Sequence, residues 1–263
     1  MSQLLSGTLP SLDFNLVTKS LTEQLRKYME TSGRKGGVVG LSGGVDSSTV
    51  AALLTRATNN FYFLIMPSRS TPKRDIEDAL QLVRSFKAED RYSYVEIDDA
   101  VDLLASKVGT EDRVILGNLK ARVRMSLLYA FASKLNYLVV GTGDRSELLL
   151  GYFTKYGDGG VDLLPIGALY KTQVRSLARY LGLPEGIALK PSSPALWEGQ
   201  SAEGELGVSY EVADSVLYLL VDQGMSPSQV ARTLGVNEEL VLRIQSMIRS
   251  SEHKRNPPVI LRP

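Results

Sequence analysis

The segment LSGGVDSS, residues 41–48, constrains the fold of this 263-residue chain more than any other feature. It follows an apolar run at 38–41 and precedes a helix predicted to begin at about Asp46. A strand that enters a glycine-rich turn and leaves it as a helix directs backbone amides and the positive end of the helix dipole toward one point. The sequence therefore predicts an anion site at the end of a buried strand.

Strand and helix patterns alternate along the first two thirds of the chain. Apolar runs bounded by turn residues predict buried strands at 38–41, 61–66, 92–97 and 137–140. Helical patterns follow at 13–31, 48–56, 75–86, 119–135 and 171–181. Such alternation predicts an α/β fold with a doubly wound parallel sheet flanked by helices, in which ligands bind where the strand order reverses.

The rest of the chain is predicted to complete a single domain. Residues 186–207 contain several Gly, Pro and Ser without a clear period, which is typical of a mobile lid over a functional site. C-terminal helices are expected over 208–249, followed by a tail at 251–263. Because Pro257 and Pro258 favour extended backbone, the tail is not expected to be helical throughout.

The net charge limits the kinds of partner that this chain is expected to bind. Thirty Lys and Arg against 29 Asp and Glu leave +1, so no general field attracts a nucleic acid or an anionic membrane. The N-terminal segment lacks a basic region followed by an apolar run, and no segment approaches the roughly 18 apolar residues of a membrane span. We expect a cytoplasmic protein that binds neither nucleic acid nor membrane.

Cysteine is absent, and His253 is the single histidine. These counts exclude disulfides, thiolate zinc sites, iron–sulfur clusters, a cysteine nucleophile and a catalytic pair of histidines. The chemistry of this chain must therefore depend on other groups.

The phosphate loop is of neither of the two commonest kinds. It lacks the lysine of GxxxxGK[ST], and GxGxxG is not present at this turn. The Asp46 carboxylate would repel a phosphate unless a cation such as Mg²⁺ lay between them. The alternative, that Asp46 only caps the following helix, leaves the flanking serines and glycines unexplained.

SGGVDSS resembles the signature of the ATP-pyrophosphatase superfamily, whose members cleave ATP between the α- and β-phosphates and adenylate a substrate. A second segment, GTGDRSELLLGYFTKYGDGGVDLLPIGALYKTQVR at 141–175, closely resembles ammonia-dependent NAD synthetases. Shorter agreements occur at 118–125, 205–207 and 251–255. The resemblance implies an adenine nucleotide alpha hydrolase-like fold. It also implies that ATP and ammonia amidate deamido-NAD through an acyl-adenylate, with release of AMP and pyrophosphate.

The resemblance also assigns site residues. Lys171, Ser193 and Asp46 are the expected catalytic residues, and Asp46 and Glu147 the expected ligands of Mg²⁺. The expected ATP contacts are Gly40, Leu41, Ser42, Gly43, Gly44, Val45, Asp46, Ser47, Thr142, Lys171 and Ser193. The expected contacts of deamido-NAD are Tyr28, Arg122, Phe153, Lys155, Asp162, His253 and Lys254.

The resemblance further implies a homodimer in which the tail reaches the substrate of the partner subunit. Because no cysteine is available for a glutaminase, the nitrogen donor is expected to be free ammonia or ammonia delivered by another polypeptide. One departure concerns Ala202, which stands where the lid of the family often carries an acid. If that acid deprotonates ammonium, Glu203 or Glu205 must replace it, and we expect reduced efficiency rather than lost activity.

Two other functions fit parts of the sequence. Residues 226–244 follow a helix-turn-helix-like pattern, but the second helix begins Asn237-Glu238-Glu239 and would present carboxylates to DNA. Packing of terminal helices explains the same pattern. A tRNA thiolase would share the phosphate loop, but the absence of cysteine and of a basic face argues against it.

Overall fold

A parallel sheet forms the centre of the protein. The computed structural model describes residues 7–262, and within them four strands pair in the order β3-β2-β1-β4. The strands are β1 (Gly37–Gly40), β2 (Phe61–Ile65), β3 (Tyr92–Tyr94) and β4 (Leu138–Val139). All pairs are parallel, and Val38 lies opposite both Tyr62 and Val139. The order reverses between β1 and β4, which is where a ligand crevice is expected. The predicted doubly wound fold is confirmed.

Helices cover both faces of the sheet and extend beyond it. Those up to residue 188 are α1 (Phe14–Thr31), α2 (Val45–Ala57), α3 (Lys73–Ser85), α4 (Asp98–Val108), α5 (Arg113–Leu135), α6 (Arg145–Leu150), α7 (Lys171–Tyr180) and α8 (Glu185–Ala188). The C-terminal ones are α9 (Ala202–Leu206), α10 (Tyr210–Leu217), a π-helical turn (Tyr218–Asp222), α11 (Pro227–Leu234), α12 (Glu238–Ser250) and α13 (Glu252–Arg255). No helix within residues 7–262 is long and apolar enough to cross a membrane.

Alternate strand residues enter different cores. Val39 and Phe63 pack with α2, whereas Val38 and Leu64 pack on the opposite face, partly against α5. Both faces are covered, as is typical of parallel sheets. Helix α2 is buried along most of its length, so the phosphate loop that precedes it is attached to a rigid element.

Several element boundaries differ from the sequence prediction. The third strand ends at Tyr94 rather than at 97, because α4, which was not predicted, begins at Asp98. Helix α5 begins at Arg113 rather than at 119. Asp112 caps it, since the Asp112 Oδ1 atom accepts hydrogen bonds from the amides of Val114 and Ile115.

The C-terminal helices form a second apolar cluster of their own. Val230, Leu234 and Val241 are buried there with Tyr210. Packing between α11 and α12 therefore accounts for the helix-turn-helix-like pattern. Beyond α13, residues 256–262 have no regular structure, so the prediction that the tail is not helical throughout is confirmed. Pro263 lies outside the described residues.

The end of α6 packs closely against the start of the tail at Gly151. Gly151 ends α6 with φ +67°, and a Cβ atom there would lie 2.0 Å from the Ser251 Cβ atom. Gly235 has a similar φ of +64°, but a Cβ atom added to it would meet no described atom within 4 Å. We expect Gly151→Ala and Gly235→Ala each to lose about 1–2 kcal/mol of unfolding free energy to left-handed backbone strain. Gly151→Ala should lose roughly 1–3 kcal/mol more to overpacking.

Chemical denaturation measures both losses, and hydrogen exchange by mass spectrometry reports on the tail. Exchange at 251–255 should rise in Gly151→Ala and stay unchanged in Gly235→Ala. Equal losses with unchanged exchange would contradict the proposed contact.

Candidate active site

A cavity of about 1280 Å³ opens at the carboxyl ends of β1, β2 and β4. It is bounded by the phosphate loop, residues 141–143, one face of α5 and the segment 190–200. Its volume exceeds the roughly 300–1,000 Å³ of a typical small-molecule site. There is therefore space for more than one ligand.

The phosphate loop is closed by its own serines. The Ser47 hydroxyl lies 3.2 Å from the Ser42 amide nitrogen, and Ser48 donates to the Gly44 carbonyl oxygen at 2.6 Å. Gly43 has φ +78°, and a Cβ atom there would lie 2.2 Å from the Asp75 carbonyl oxygen, so only glycine fits. Of the predicted loop contacts, all but Gly43 line the cavity: Gly40, Leu41, Ser42, Gly44, Val45, Asp46 and Ser47.

Lys171 lies at the centre of a buried charge cluster. Its Nζ atom is 2.6 Å from Asp46 Oδ2, 2.8 Å from Glu147 Oε1 and 3.0 Å from Asp144 Oδ2. The side chains of Lys171 and Asp144 are fully buried, whereas those of Asp46 and Glu147 are 20% and 21% exposed. We define these four residues as the Lys171 cluster. Lys171 does not line the cavity itself, whereas Asp46 and Glu147 do.

The pKa values in the cluster are shifted by burial and by the neighbouring charges. Burial opposes the charged form of Lys171, but Asp144, Asp46 and Glu147 together raise its pKa well above 10.5. Burial raises the pKa of Glu147 well above 4.5 despite the nearby ammonium. The pKa of Asp144 is raised in the same way. Three carboxylates with one ammonium leave an excess of negative charge at this point.

Asp46 meets the requirements of a cation ligand. The alternative role as a helix cap is wrong, because Gly44 occupies the N-cap position of α2. Within the described part of the chain, the buried Oδ1 atom of Asp46 has no hydrogen-bond partner. No group of three or more His, Asp or Glu in residues 7–262 is arranged to hold a metal alone. Mg²⁺ at a nucleotide site needs only one or two carboxylates, because phosphates and water complete the shell. Asp46 and Glu147 fit that requirement.

Segment 190–200 lies over the cavity and is anchored at Lys190 and again at Leu196. Lys190 Nζ contacts Asp75 Oδ1 and the Gly43 carbonyl oxygen, each at 2.9 Å, and also Asp78. Lys120 Nζ donates to the Leu196 carbonyl oxygen at 2.7 Å. The mobility expected for residues 186–207 remains a prediction.

Of the three remaining predicted ATP contacts, Lys171 lies behind Asp46 and Glu147, and its contact with ATP stays a prediction. The other two lie at the same cavity. Thr142 and Ser193 both line it. The Ser193 hydroxyl donates to the Gln200 carbonyl oxygen at 2.6 Å, which fixes its position in segment 190–200.

The predicted deamido-NAD contacts divide into two groups. Phe153 and Lys254 line the cavity, and Lys254 Nζ donates to the carbonyl oxygens of Gly151 (2.7 Å) and Phe153 (2.9 Å). Burial lowers the pKa of Lys254. These bonds hold Lys254 at the cavity of its own chain. The expectation that the tail reaches the substrate of a partner subunit stays a prediction.

The other five predicted contacts lie outside the cavity of the single chain: Tyr28, Arg122, Lys155, Asp162 and His253. Lys155 Nζ donates to the His253 carbonyl oxygen at 2.6 Å. Asp162 Oδ2 accepts from the Val139 amide at 2.7 Å, which links it to β4. Tyr28 is 46% exposed. Their assignment to the substrate stays a prediction.

Sequence reasoning missed several residues of the cavity wall. Lys120 and Arg124 lie four residues apart on α5 and therefore face the cavity together. Burial lowers the pKa of Arg124 to about 10. Asp158 also lines the cavity, and its Oδ1 atom accepts from the Thr154 amide at 2.8 Å. The i, i+4 pair of cations was the one signal in the sequence that could have identified part of this wall.

A further group lies at the lid end of the cavity. The Tyr152 hydroxyl donates to Glu205 Oε2 at 2.5 Å, and Gln200 Nε2 lies 3.3 Å from both Glu205 carboxylate oxygens. Burial and the Glu205 contact raise the pKa of Tyr152 above its ordinary value of 10. Ala202 also lines the cavity here, whereas Glu203 does not.

A doubly wound α/β sheet with a glycine-rich anion loop and carboxylates at the switch point defines a nucleotide-binding enzyme. The NAD synthase family profile matches residues 17–258. The NH(3)-dependent NAD(+) synthetase of Sulfurisphaera tokodaii is 55% identical over 252 residues, which cover 96% of this chain and 90% of that protein.

Two solved structures are similar along almost their whole length. The NH3-dependent NAD synthetase of Campylobacter jejuni, in complex with nitrate, has a TM-score of 0.83 at 33% identity and covers 96% of this chain and 100% of its own. The NMN synthetase of Francisella tularensis has a TM-score of 0.85 at 34% identity, with 95% and 99% covered. The chain therefore belongs to the NAD synthase family. The predicted activity, ammonia-dependent synthesis of NAD by a ligase, is confirmed.

The Lys171 cluster makes stability depend on pH. Lys171→Met removes the ammonium and leaves three carboxylates unpaired, so we expect the unfolding free energy at about pH 8 to fall by about 3–5 kcal/mol. A carboxylate whose folded pKa is raised contributes stability below its ordinary pKa and loses that contribution as pH rises through the raised value. Without the Lys171 ammonium, which lowers the pKa values of Asp144 and Glu147, burial raises these pKa values further. The loss should therefore be smaller at about pH 5 than at about pH 8.

Urea unfolding of both proteins at the two pH values measures this difference. Lys120→Met is a matched control, because Lys120 Nζ bonds to the neutral oxygens of Ser70 and Leu196. Lys120→Met should change the unfolding free energy by a similar amount at the two pH values. The same loss for Lys171→Met at both pH values would argue against the charge cluster as the cause.

Proposed function

We propose that this chain binds ATP with Mg²⁺ at the ends of β1 and β4, adenylates the nicotinate carboxylate of deamido-NAD, and releases NAD and AMP after attack by ammonia. The observation that carries this proposal is that the phosphate loop and two carboxylates of the Lys171 cluster, Asp46 and Glu147, border one large cavity. Its size is compatible with two nucleotide ligands at once.

In the first step, the loop amides and the N-terminus of α2 bind the phosphates of ATP. Asp46 and Glu147 would hold Mg²⁺, which supplies positive charge to the phosphate oxygens when bound. Lys171 keeps these two carboxylates close together although both are negatively charged. Ser193 and Thr142 contribute hydroxyl groups to the same wall. This arrangement orients the α-phosphorus for attack by the carboxylate of the substrate.

The substrate is held on the other side of the cavity. Phe153 offers an aromatic face for the pyridine ring, and Lys254, Lys120 and Arg124 offer cations for the phosphates of the dinucleotide. The five predicted contacts outside the cavity would complete this site in a homodimer. Apolar side chains at the junction of α4 and α5 that are exposed in the single chain, among them Leu103, Val108 and Val114, support such an assembly.

In the second step, ammonia attacks the acyl carbon and AMP leaves. No enzyme nucleophile is needed, in agreement with a chain that has no cysteine. Segment 190–200 would exclude water, which otherwise hydrolyses the adenylate. We propose that the reaction takes place in the cytoplasm, and that the ammonia is either free or supplied by another polypeptide.

Glu205 is the proposed base that takes a proton from ammonium. Its carboxylate is at the cavity and is oriented by Tyr152 and Gln200. Glu203, the other acid considered from the sequence, is turned away, because its Oε1 atom accepts from the Tyr210 amide and lies 3.5 Å from Arg175 Nη2.

The two acids provide a matched pair of variants. Glu205→Gln should lower kcat/KM for ammonium about a hundredfold, which is the lower end of typical general-base effects. Glu203→Gln should retain kcat/KM close to that of the unsubstituted protein. Steady-state kinetics with varied ammonium and saturating ATP separates them. Similar effects of both substitutions would exclude Glu205 as the specific base.

The overall proposal is tested with ATP, Mg²⁺, ammonium and deamido-NAD. NAD, AMP and pyrophosphate should form in equal amounts, and glutamine should not replace ammonium. Asp46→Asn should abolish all three products, because it removes one carboxylate oxygen from the cation site. Nicotinate mononucleotide is the matched alternative substrate, since one similar structure is an NMN synthetase. A higher kcat/KM for the mononucleotide would overturn deamido-NAD as the preferred substrate.

A further inference from the structure

A second buried carboxylate lies behind the Lys171 cluster, and the proposed reaction does not use it directly. Asp214 on α10 has no exposed surface. Its Oδ1 atom accepts from the Ser146 hydroxyl at 2.6 Å, and its Oδ2 atom accepts from the Thr172 amide at 2.9 Å and the Thr172 hydroxyl at 2.8 Å. One carboxylate thus receives three donors from two other helices.

The hydrogen bond from Ser146 to Asp214 orients the Ser146 hydroxyl to accept from the Lys171 amide. The Ser146 hydroxyl has one hydrogen, which it donates to Asp214, so its lone pairs are free to accept. The Lys171 amide donates to that hydroxyl oxygen at 2.9 Å. Asp214 therefore fixes the amides of both Lys171 and Thr172, the first two residues of α7. These N-terminal amides have no partner within the helix itself.

The same contacts fix the start of α6. Ser146 is its second residue, and it lies between the two carboxylates Asp144 and Glu147 of the Lys171 cluster. Asp214 consequently joins the beginnings of the two helices that supply the ammonium and two of its three acidic partners. It reaches them from the C-terminal helices, whose core is separate from that of the sheet.

We infer that Asp214 is a positioning residue of the reaction, which sets the Lys171 ammonium relative to Asp46 and Glu147 by accepting from Ser146 and Thr172 together. The inference rests on the proposed roles of those cluster residues. An amide at position 214 would not serve equally, because its nitrogen only donates. Either the Thr172 amide or the hydrogen of the Ser146 hydroxyl would then lose its acceptor.

Asp214→Asn tests the inference, and Ser215→Ala is its matched control. Ser215 is equally buried on the same helix, but its hydroxyl donates to the Glu211 carbonyl oxygen instead. In the complete NAD-forming assay, Asp214→Asn should lower kcat at least about tenfold with little change in KM for ATP, since small displacements of reacting groups cost about that much. Ser215→Ala should leave kcat unchanged.

The position of Lys171 can be followed directly by competitive acetylation and mass spectrometry of the folded protein. Reactivity of Lys171 with acetic anhydride, relative to the exposed Lys19, should rise in Asp214→Asn and not in Ser215→Ala. A lower unfolding midpoint together with unchanged kcat and unchanged Lys171 reactivity would assign Asp214 a purely structural role and overturn the inference.

Two further variants complete the test. Ser146→Ala should also lower kcat and should add little to Asp214→Asn in the double variant, because Asp214→Asn already disrupts the bond through which Ser146 acts. Multiplicative losses would overturn the inference, and Ser146→Ala alone tests it if Asp214→Asn does not fold. Lys171→Met distinguishes the two proposals. If it stays active, the proposed function of the cluster fails; if it is inactive while Asp214→Asn is normal, only the positioning role fails.

Discussion

The arrangement of this site depends on one ammonium that is buried among three carboxylates. Lys171 has no exposed surface, and its partners come from α2, from the residue that caps α6, and from α6 itself. If all four groups are ionised, three negative charges and one positive charge leave −2 at this position. Burying uncompensated charge is costly, which explains why the pKa values of Asp144 and Glu147 are raised. A divalent cation at the free oxygen of Asp46 would neutralise this excess.

The four groups of the Lys171 cluster come from elements that are far apart in the chain. Asp46 follows β1, whereas Asp144 and Glu147 follow β4, and the order of strands reverses between these two neighbours. Lys171 begins α7, which packs on α2 in the core of the sheet. Asp214 then ties α6 and α7 to the C-terminal helices. The cluster is thus attached both to the core of the sheet and to the core of the C-terminal helices.

Local sequence patterns predicted the parts of this structure that depend on neighbours in the chain. The phosphate loop, the parallel sheet and the position of Asp46 all follow from periodicity and turn residues within a few positions. Asp144 forms a local capping box with Glu147, but its ion pair with Lys171, 27 residues away, was missed. Asp214 and Lys190 were missed because their partners are 42 to 147 residues away and leave no local pattern. Asp214, for example, looks like any polar residue on a helix, until Ser146, 68 positions earlier, is brought against it. The resemblance to a family identified Glu147 and Lys171, but it did not show that they bind each other.

The predicted lid carries its cavity-facing carboxylate on Glu205 rather than on residue 202. Ala202 is 1% exposed and packs in the C-terminal cluster with Leu206 and Tyr210, so an aspartate there would bring a carboxylate against apolar side chains. Glu205 lies three residues further along α9, on a neighbouring part of the same helical face. Its longer side chain reaches the cavity and finds two partners there, Tyr152 and Gln200. Alanine at 202 therefore keeps this position of the second core apolar, while Glu205 supplies a carboxylate at the cavity.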